Sequence, residues 1–436
     1  MRGRARWLVV LGLVAPWVDG CGSERAATVE LSPEVSGDAL CVWAYGDGER
    51  VFARSYDREE GALPAGSLTF VAGERVSEDV VVAARVLRGG AVVAEGAARI
   101  AFGDGLVSVD LPVARCQPAD APPVGGTRGV FAEPPARMEA ADVDGDGLDE
   151  LVAWTGGALH VLTPAGPSAT SRVAVTGPDG LRVSAAADFD RDCGLELVAV
   201  GDDQVRLVSA PEGDAALGEP AAAGARDAHP GAPTRAASLV LAGATGLTLV
   251  PRGGEATRTV DGSFEALGVG DLDGDGIDDV VASGAGGTRA FLGGDALTER
   301  PDALPPRVAA AAGPLRLADL DGDGALDLAV ADGSGVRVAV NRGDGLLEER
   351  GGDAPPTLAT AIGALRAGDV DGDCRDELVA LAADGSARVL RLTGDGLADV
   401  PGEWPTARDA AVATVAEGRR ALVWLTPEGE VVEVAP

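Results

Sequence analysis

The chain has no lysine: all 36 basic residues are arginine, set against 69 Asp and Glu in 436 residues, for a formal charge of -33. That balance rules against nucleic-acid binding by phosphate neutralisation and favours a cationic partner. Aromatic residues make up only 3%, with two Tyr, which argues against a sugar-stacking platform. Histidine occurs only as His160, in an alternating strand-like run, and His229, in a Pro- and Gly-rich stretch that reads as a loop, without H-E-x-x-H spacing, and no G-x-S-x-G elbow is present. A catalytic role for either histidine therefore finds no support. The apolar run Trp7 to Val18 is too short to span a bilayer comfortably. A disordered acidic tail is excluded as well, because a chain that is 46% hydrophobic can bury a sizeable core. The acidity must sit on a folded surface, and the length allows roughly two to four domains.

At the N-terminus, MRGRAR is followed by the Trp7 to Val18 run and then by Asp19-Gly20-Cys21, the layout of an export signal. The tetrad Val18-Asp19-Gly20-Cys21 resembles the lipobox of bacterial lipoproteins. That resemblance implies removal of residues 1–20, lipidation of Cys21 and attachment to a membrane through the lipid. Gly22 and Ser23 lack an inner-membrane retention signal of the Asp kind, so the implied address is the bacterial cell envelope, as an outer-membrane lipoprotein facing periplasm or cell surface. Four cysteines remain: Cys41, Cys116, Cys193 and Cys374. An even count in an exported chain suggests disulfides.

After a tether at 21–25, residues 26–116 alternate apolar and polar residues in short runs, as in SLTFVAG (67–73) and LVSVDLPV (106–113). Arg88-Gly89-Gly90-Ala91 separates two such runs and signals a hairpin. A small β-sandwich is expected here. Cys41 and Cys116 bracket it, and a disulfide between them would contribute about 4 kcal/mol by loop closure. The Pro- and Gly-rich 117–126 reads as a linker.

From residue 127 to 436 the sequence repeats. Full copies are DVDGDGLDELVAW (142–154), DFDRDCGLELVAV (188–200), DLDGDGIDDVVAS (271–283), DLDGDGALDLAVA (319–331) and DVDGDCRDELVAL (369–381). Two further copies keep the apolar strand and lose the acidic loop. The first strand residue of each unit is Leu151, Leu197, Leu239, Val280, Leu328, Leu378 or Leu422. Seven units of short strands without helical periodicity predict an all-β chain whose main body is a seven-bladed β-propeller, with an open solenoid as competitor. Too few residues follow Leu422 to build a full last blade, and Thr127 to Glu133 reads as the strand that completes it. Such closure would also remove exposed sheet edges.

Each full copy places carboxylates at loop positions 1, 3, 5 and 9. Of the 69 acidic residues, 23 fall inside these five nine-residue loops, where random scatter would put about seven, so the clustering calls for a cation. A turn of this spacing offers oxygen donors suited to Ca2+ rather than Mg2+, and Zn2+ would want Cys or His. An EF-hand also opens Asp-x-Asp-x-Asp-Gly but needs an acidic residue at position 12 and a following helix. Position 12 is Ala153, Ala199, Ala282, Val330 or Ala380, inside an apolar run.

The position-9 acid followed by a strand resembles the FG-GAP or VCBS repeats of the integrin α-subunit propeller family. Carried over by resemblance, the metal ligands are Asp142, Asp144, Asp146 and Glu150; Asp188, Asp190, Asp192 and Glu196; Asp271, Asp273, Asp275 and Asp279; Asp319, Asp321, Asp323 and Asp327; and Asp369, Asp371, Asp373 and Glu377, for up to five Ca2+. Cys193 and Cys374 stand at position 6, normally Gly, and would weaken their loops if positive φ is required there. A disulfide between them would need both loop tips to lean to the ring axis, against two separate buried thiols. Arg342-Gly343-Asp344 is read as a repeat turn. The resemblance implies a ligand surface on the propeller face away from the cation loops, and the segment Ser209 to Ala237 is the expected partner-contacting insertion.

The function expected from all this is a calcium-binding, surface-anchored, non-enzymatic binding, adhesion or scaffold lipoprotein, with a protein or polysaccharide ligand at the propeller face and no nucleic acid. The alternatives are an extracellular polysaccharide-active lyase or hydrolase, which would need Tyr, His and Arg clustered in the central funnel, and a structural subunit of an envelope complex.

Overall fold

In the computed structural model, residues 126–434 are described apart from 145–147, 165–167, 190–194, 202–203, 210–215, 219–223, 235–237, 252–256, 351–356, 372, 374, 403 and 417–418; before 126, eight strands are described. The chain divides into two compact units near residue 114. In the first, one four-stranded sheet has the order Leu11–Gly12, Ser67–Val71, Ala26–Pro33, Gly105–Leu111. The other has the order Glu49–Asp57, Ala39–Gly46, Asp79–Arg88, Ala91–Ala101. The expected hairpin is present, with Arg88 paired to Ala91. Leu11–Gly12, inside the expected export signal, pairs in parallel with Leu68 and Thr69. Cys21 lies outside the described residues.

The second unit is a seven-bladed β-propeller. Blade 1 comprises Glu139–Ala141, Glu150–Thr155, Ala158–Leu162 and Arg172–Thr176; blade 2, Arg182–Ala187, Glu196–Gly201, Gln204–Ser209 and Ala216–Leu217. Blade 3 comprises Ala225–Gly231, Ser238–Gly243, Gly246–Pro251 and Thr257–Asp261; blade 4, Ala266–Gly270, Asp279–Gly284, Gly287–Leu292 and Thr298–Glu299. Blade 5 comprises Leu315–Ala318, Asp327–Asp332, Gly335–Asn341 and Leu347–Arg350; blade 6, Ile362–Gly368, Glu377–Ala382, Ala387–Thr393 and Gly396–Asp399. Blade 7 takes Asp409–Ala416, Arg419–Leu425 and Glu430–Val434 from the chain end and Gly126–Val130 from the beginning of the second unit. The closing strand is thus the one expected from the sequence, shifted to begin at Gly126. Glu430 pairs with Val130 and Val431 with Gly129, and Arg128 Nε donates to Glu433 at 2.5 Å.

The second strand of each blade carries the repeat's apolar run, and Leu151, Leu197, Leu239, Val280, Leu328, Leu378 and Leu422 are all buried. These strands are apolar at nearly every position rather than alternating, because a neighbouring blade covers each face. The core accordingly lies between blades. One cluster joins Leu320 and Val338 of blade 5 to Leu378 and Leu390 of blade 6. Another joins Phe131 and Leu151 to Val423 and Val431, across the ring closure.

Two sequence expectations are corrected here. Ser209 to Ala237 is not an insertion: it contains the outer strand of blade 2 and the inner strand of blade 3. His229, expected in a loop, lies in that inner strand. Cys41 is buried in Ala39–Gly46. No disulfide is found among the described residues, and Cys116, Cys193 and Cys374 lie outside them, so neither expected pairing gains support. No helix among the described residues is long and apolar enough to cross a membrane.

Candidate metal centre

The loop from the first to the second strand begins where the inner strand ends and closes on the position-9 carboxylate. That carboxylate accepts the position-2 backbone N–H in all five copies: Val143 to Glu150 at 3.2 Å, Phe189 to Glu196 at 2.6 Å, Leu272 to Asp279 at 2.8 Å, Leu320 to Asp327 at 2.9 Å and Val370 to Glu377 at 3.0 Å. The position-1 carboxylate gathers the turn. Asp271 accepts from Gly274 at 2.8 Å and Gly276 at 3.0 Å, and Asp319 accepts from Gly322 at 2.9 Å and Gly324 at 3.0 Å. Gly274 and Gly276 sit at φ 75° and 85°, a region that costs a side-chain-bearing residue about 1–2 kcal/mol. Position 6 therefore does require positive φ where it is described. Cys193 and Cys374, its occupants in the other two copies, lie outside the described residues.

Ligand atoms of positions 1, 3 and 9 converge to within 4.8 Å in four loops: Asp142, Asp144 and Glu150; Asp271, Asp273 and Asp279; Asp319, Asp321 and Asp327; Asp369, Asp371 and Glu377. Three carboxylates so close repel one another unless a cation or protons intervene, and an all-oxygen donor set suits a hard cation. The residues therefore fit Ca2+. Position 5 is placed differently. Asp275, Asp323 and Asp373 turn back on the loop and accept the N–H of Ile277, Ala325 and Arg375 at 2.8, 2.8 and 3.0 Å. In blade 2, Asp188 and Glu196 are buried, whereas Asp190 and Asp192, like Asp146 of blade 1, lie outside the described residues.

Burial, with the neighbouring position-1 and position-3 carboxylates adding to it, pushes Asp279 and Asp327 up to about 7, despite the opposing backbone hydrogen bonds. Glu377 is pushed up to about 7 by burial, although Val370 and Arg391 act against it. Arg391 sets the blade 6 loop apart. Its Nε lies 2.7 Å from Glu377, and its Nη2 also contacts Asp371. The residue after the cross-strand partner of the repeat leucine is Arg391 in blade 6, but Thr163, Leu292 and Val340 in blades 1, 4 and 5. Blade 6 thus carries its own cation. Arg391→Leu is expected to cost about 1–3 kcal/mol in chelator by stranding a buried carboxylate and to enlarge the stabilisation that Ca2+ confers. Denaturant unfolding with and without Ca2+ measures both, and an unchanged Ca2+ increment would count against the stand-in role.

A role that the spacing did not reveal belongs to position 8. Asp149 accepts the N–H of Thr414 at 2.6 Å, Asp278 that of Ala232 at 2.7 Å and Asp376 that of Asp319 at 3.0 Å. Each acceptor reaches the preceding blade. In two cases the Asp backbone N–H also donates to the same residue, Asp149 to Thr414 O and Asp376 to Asp319 O, both at 2.8 Å. These three carboxylates therefore fasten blades together rather than completing the donor set. Leu195 and Leu326 occupy the position in the other two copies, and that alternation was the available signal. Position 12 lies in a strand in every copy, as excluding an EF-hand requires. Arg342-Gly343-Asp344 forms the turn between two strands of blade 5, with Gly343 at φ 79°.

An FG-GAP-like repeat description matches residues 271–330 and 319–380, across blades 4 to 6. Among solved structures, the chain is similar to an Agrocybe aegerita lectin that recognises non-reducing terminal N-acetylglucosamine, 18% identical over 60% of this chain and 79% of that one, at a TM-score of 0.44. BBS1N in complex with ARL6DN is 14% identical over 72% of this chain and 98% of that one, at 0.48. The N-terminal domain of Nup159 is 10% identical over 74% and 94%, at 0.42. No curated protein matches the chain.

Proposed function

Because the second unit is an FG-GAP repeat β-propeller, we propose that the protein is a calcium-binding, non-enzymatic binding or scaffold lipoprotein whose loops are rigidified by Ca2+. The observation that carries this reading is the convergence of positions 1, 3 and 9 in four loops. The position-5 carboxylates and the blade 2 loop complete the proposed set of up to five sites. The ion supplies the positive charge that lets these carboxylates stay ionised together; the chain supplies a turn already closed by the position-1 and position-9 hydrogen bonds. Cys21 is the proposed lipid attachment point, which would tether the propeller to the outer membrane and leave its face open to a protein or polysaccharide ligand.

Calorimetric titration of the full chain with CaCl2 is expected to show saturable uptake at several sites, in the range from tens of micromolar to about millimolar, and far weaker uptake of Mg2+. Asp271→Asn with Asp319→Asn should remove part of that uptake. Absence of uptake, or uptake indifferent to these substitutions, would overturn the reading.

A further inference from the structure

The inner strands of six blades line a cavity of about 520 Å3 whose charge is opposite to that of the chain. Arg137, Arg182, Arg226, Arg316 and Arg366 face Glu139, Asp227 and Glu265 there, in a protein of formal charge -33. Three of the guanidiniums are committed. Arg366 makes two hydrogen bonds to Asp409, at 3.0 and 2.6 Å, and lies 3.2 Å from Glu139. Arg226 pairs with Glu265 at 2.8 Å. Arg182 approaches Asp227 at 3.5 Å, and Asp227 is saturated by Ser184 at 2.9 Å and the Leu267 N–H at 3.1 Å.

The other two are not committed. Arg316 donates only to its neighbour's carbonyl, Leu315 O, at 3.2 Å. Arg137 has no hydrogen bond or ion pair among the described residues. For both, burial and then like charge, Arg366 beside Arg316 and Arg182 and Arg366 beside Arg137, work against the charged form and hold the guanidinium below its ordinary pKa. Guanidiniums in this state gain from an oxyanion that presents two acceptors to each planar fork. A cavity of this volume suits a ligand of monosaccharide size.

We propose that this channel binds a small oxyanionic ligand, a carboxylate, sulfate or phosphate borne on a sugar-sized body, with Arg137 and Arg316 as its principal contacts. Arg182, Arg226 and Arg366 stay paired and offset the carboxylates of the channel. The cation loops follow the C-terminal ends of the inner strands, whereas Arg182, Arg226 and Arg316 stand at their beginnings. Anion and cation sites therefore occupy opposite ends of the same strands. The inference uses the propeller and its arginines and does not rest on the calcium reading.

The test is a thermal-shift and calorimetric titration of the full chain with sodium sulfate, glucose 6-phosphate and glucuronate, each against NaCl at matched ionic strength, in Ca2+ and in chelator. At least one of the three is expected to raise the melting midpoint saturably beyond NaCl, and the one that does so identifies the anionic group. Arg316→Gln and Arg137→Gln, singly and together, should weaken that binding by about tenfold or more, while the exposed Arg342→Gln should leave it unchanged. No saturable effect beyond NaCl, or binding that survives the double variant, overturns the proposal. Because the titration is run with and without Ca2+, its failure is separable from failure of the calcium sites.

Discussion

In chelator, the folded protein is expected to lose stability as pH rises from about 4 to about 7, and Ca2+ should reverse that trend over the same window. Asp279 and Asp327 start from 3.8 and Glu377 from 4.5 when unfolded, and all three are pushed up to about 7 in the fold. Between those limits the unfolded chain has released protons that the native state still holds. Stability therefore falls with pH, by about 1.4 kcal/mol per pH unit for each proton retained, and levels off above about 7. The direction is opposite to that of a salt-bridged carboxylate. A bound divalent ion competes with those protons, so its stabilising effect grows as pH rises towards 7. Chemical denaturation at several pH values, in chelator and in saturating Ca2+, reads both slopes. Asp279→Asn with Asp327→Asn should flatten the chelator curve to the share contributed by Glu377. A chelator curve that instead rises through this window would sink the account.

Much of the architecture was legible because one residue class marks it seven times. The leucine or valine near the start of each second strand sits between two blades, so each repeat had to keep it apolar, and counting those positions counts the blades. Closure was legible because the last unit is short by one strand and Thr127 onward offers one. The acidic clusters were legible at positions 1, 3 and 9, where carboxylate oxygens converge. They were less so at position 5, where Asp275, Asp323 and Asp373 are drawn to nearby backbone N–H groups. The role of position 8 was not legible from the spacing. Its partner lies in another blade, as far as 265 residues away for Asp149 and Thr414. The arginine channel escaped notice for a similar reason: its members stand one to a blade, far apart in the chain. Yet Arg137, Arg182, Arg226, Arg316 and Arg366 each precede a repeat leucine by 12 to 15 residues, so the repeat spacing itself marks them.

The largest effect of a single substitution is expected at Asp409, where the ring is fastened. Its carboxylate accepts two hydrogen bonds from Arg366 of blade 6 and one, at 2.9 Å, from the backbone N–H of Met138 at the entry to blade 1. Asp409 is fully buried, and Arg366 and Met138 are buried beside it. Burial alone would discourage the charge on Arg366, but Asp409 and then Glu139 more than restore it, and its pKa is driven upward. Asp409→Ala removes the first of those partners and strands the Met138 N–H, so a loss of about 3–5 kcal/mol is expected, as for other buried pairs broken on one side. Asp409→Asn keeps an acceptor for Met138 and should cost less. The double substitution Arg366→Met with Asp409→Leu removes both members of the buried pair, leaving only the half-buried Glu139 without its partner at 3.2 Å, and should recover part of the stability lost by Asp409→Ala, because much of that penalty comes from a buried guanidinium that has lost its main carboxylate. Denaturant midpoints of the four proteins, all in Ca2+, make the comparison. A loss below about 1 kcal/mol for Asp409→Ala, the level of an exposed pair, would mean that this buried pair adds little to the other contacts that hold blades 6, 7 and 1 together.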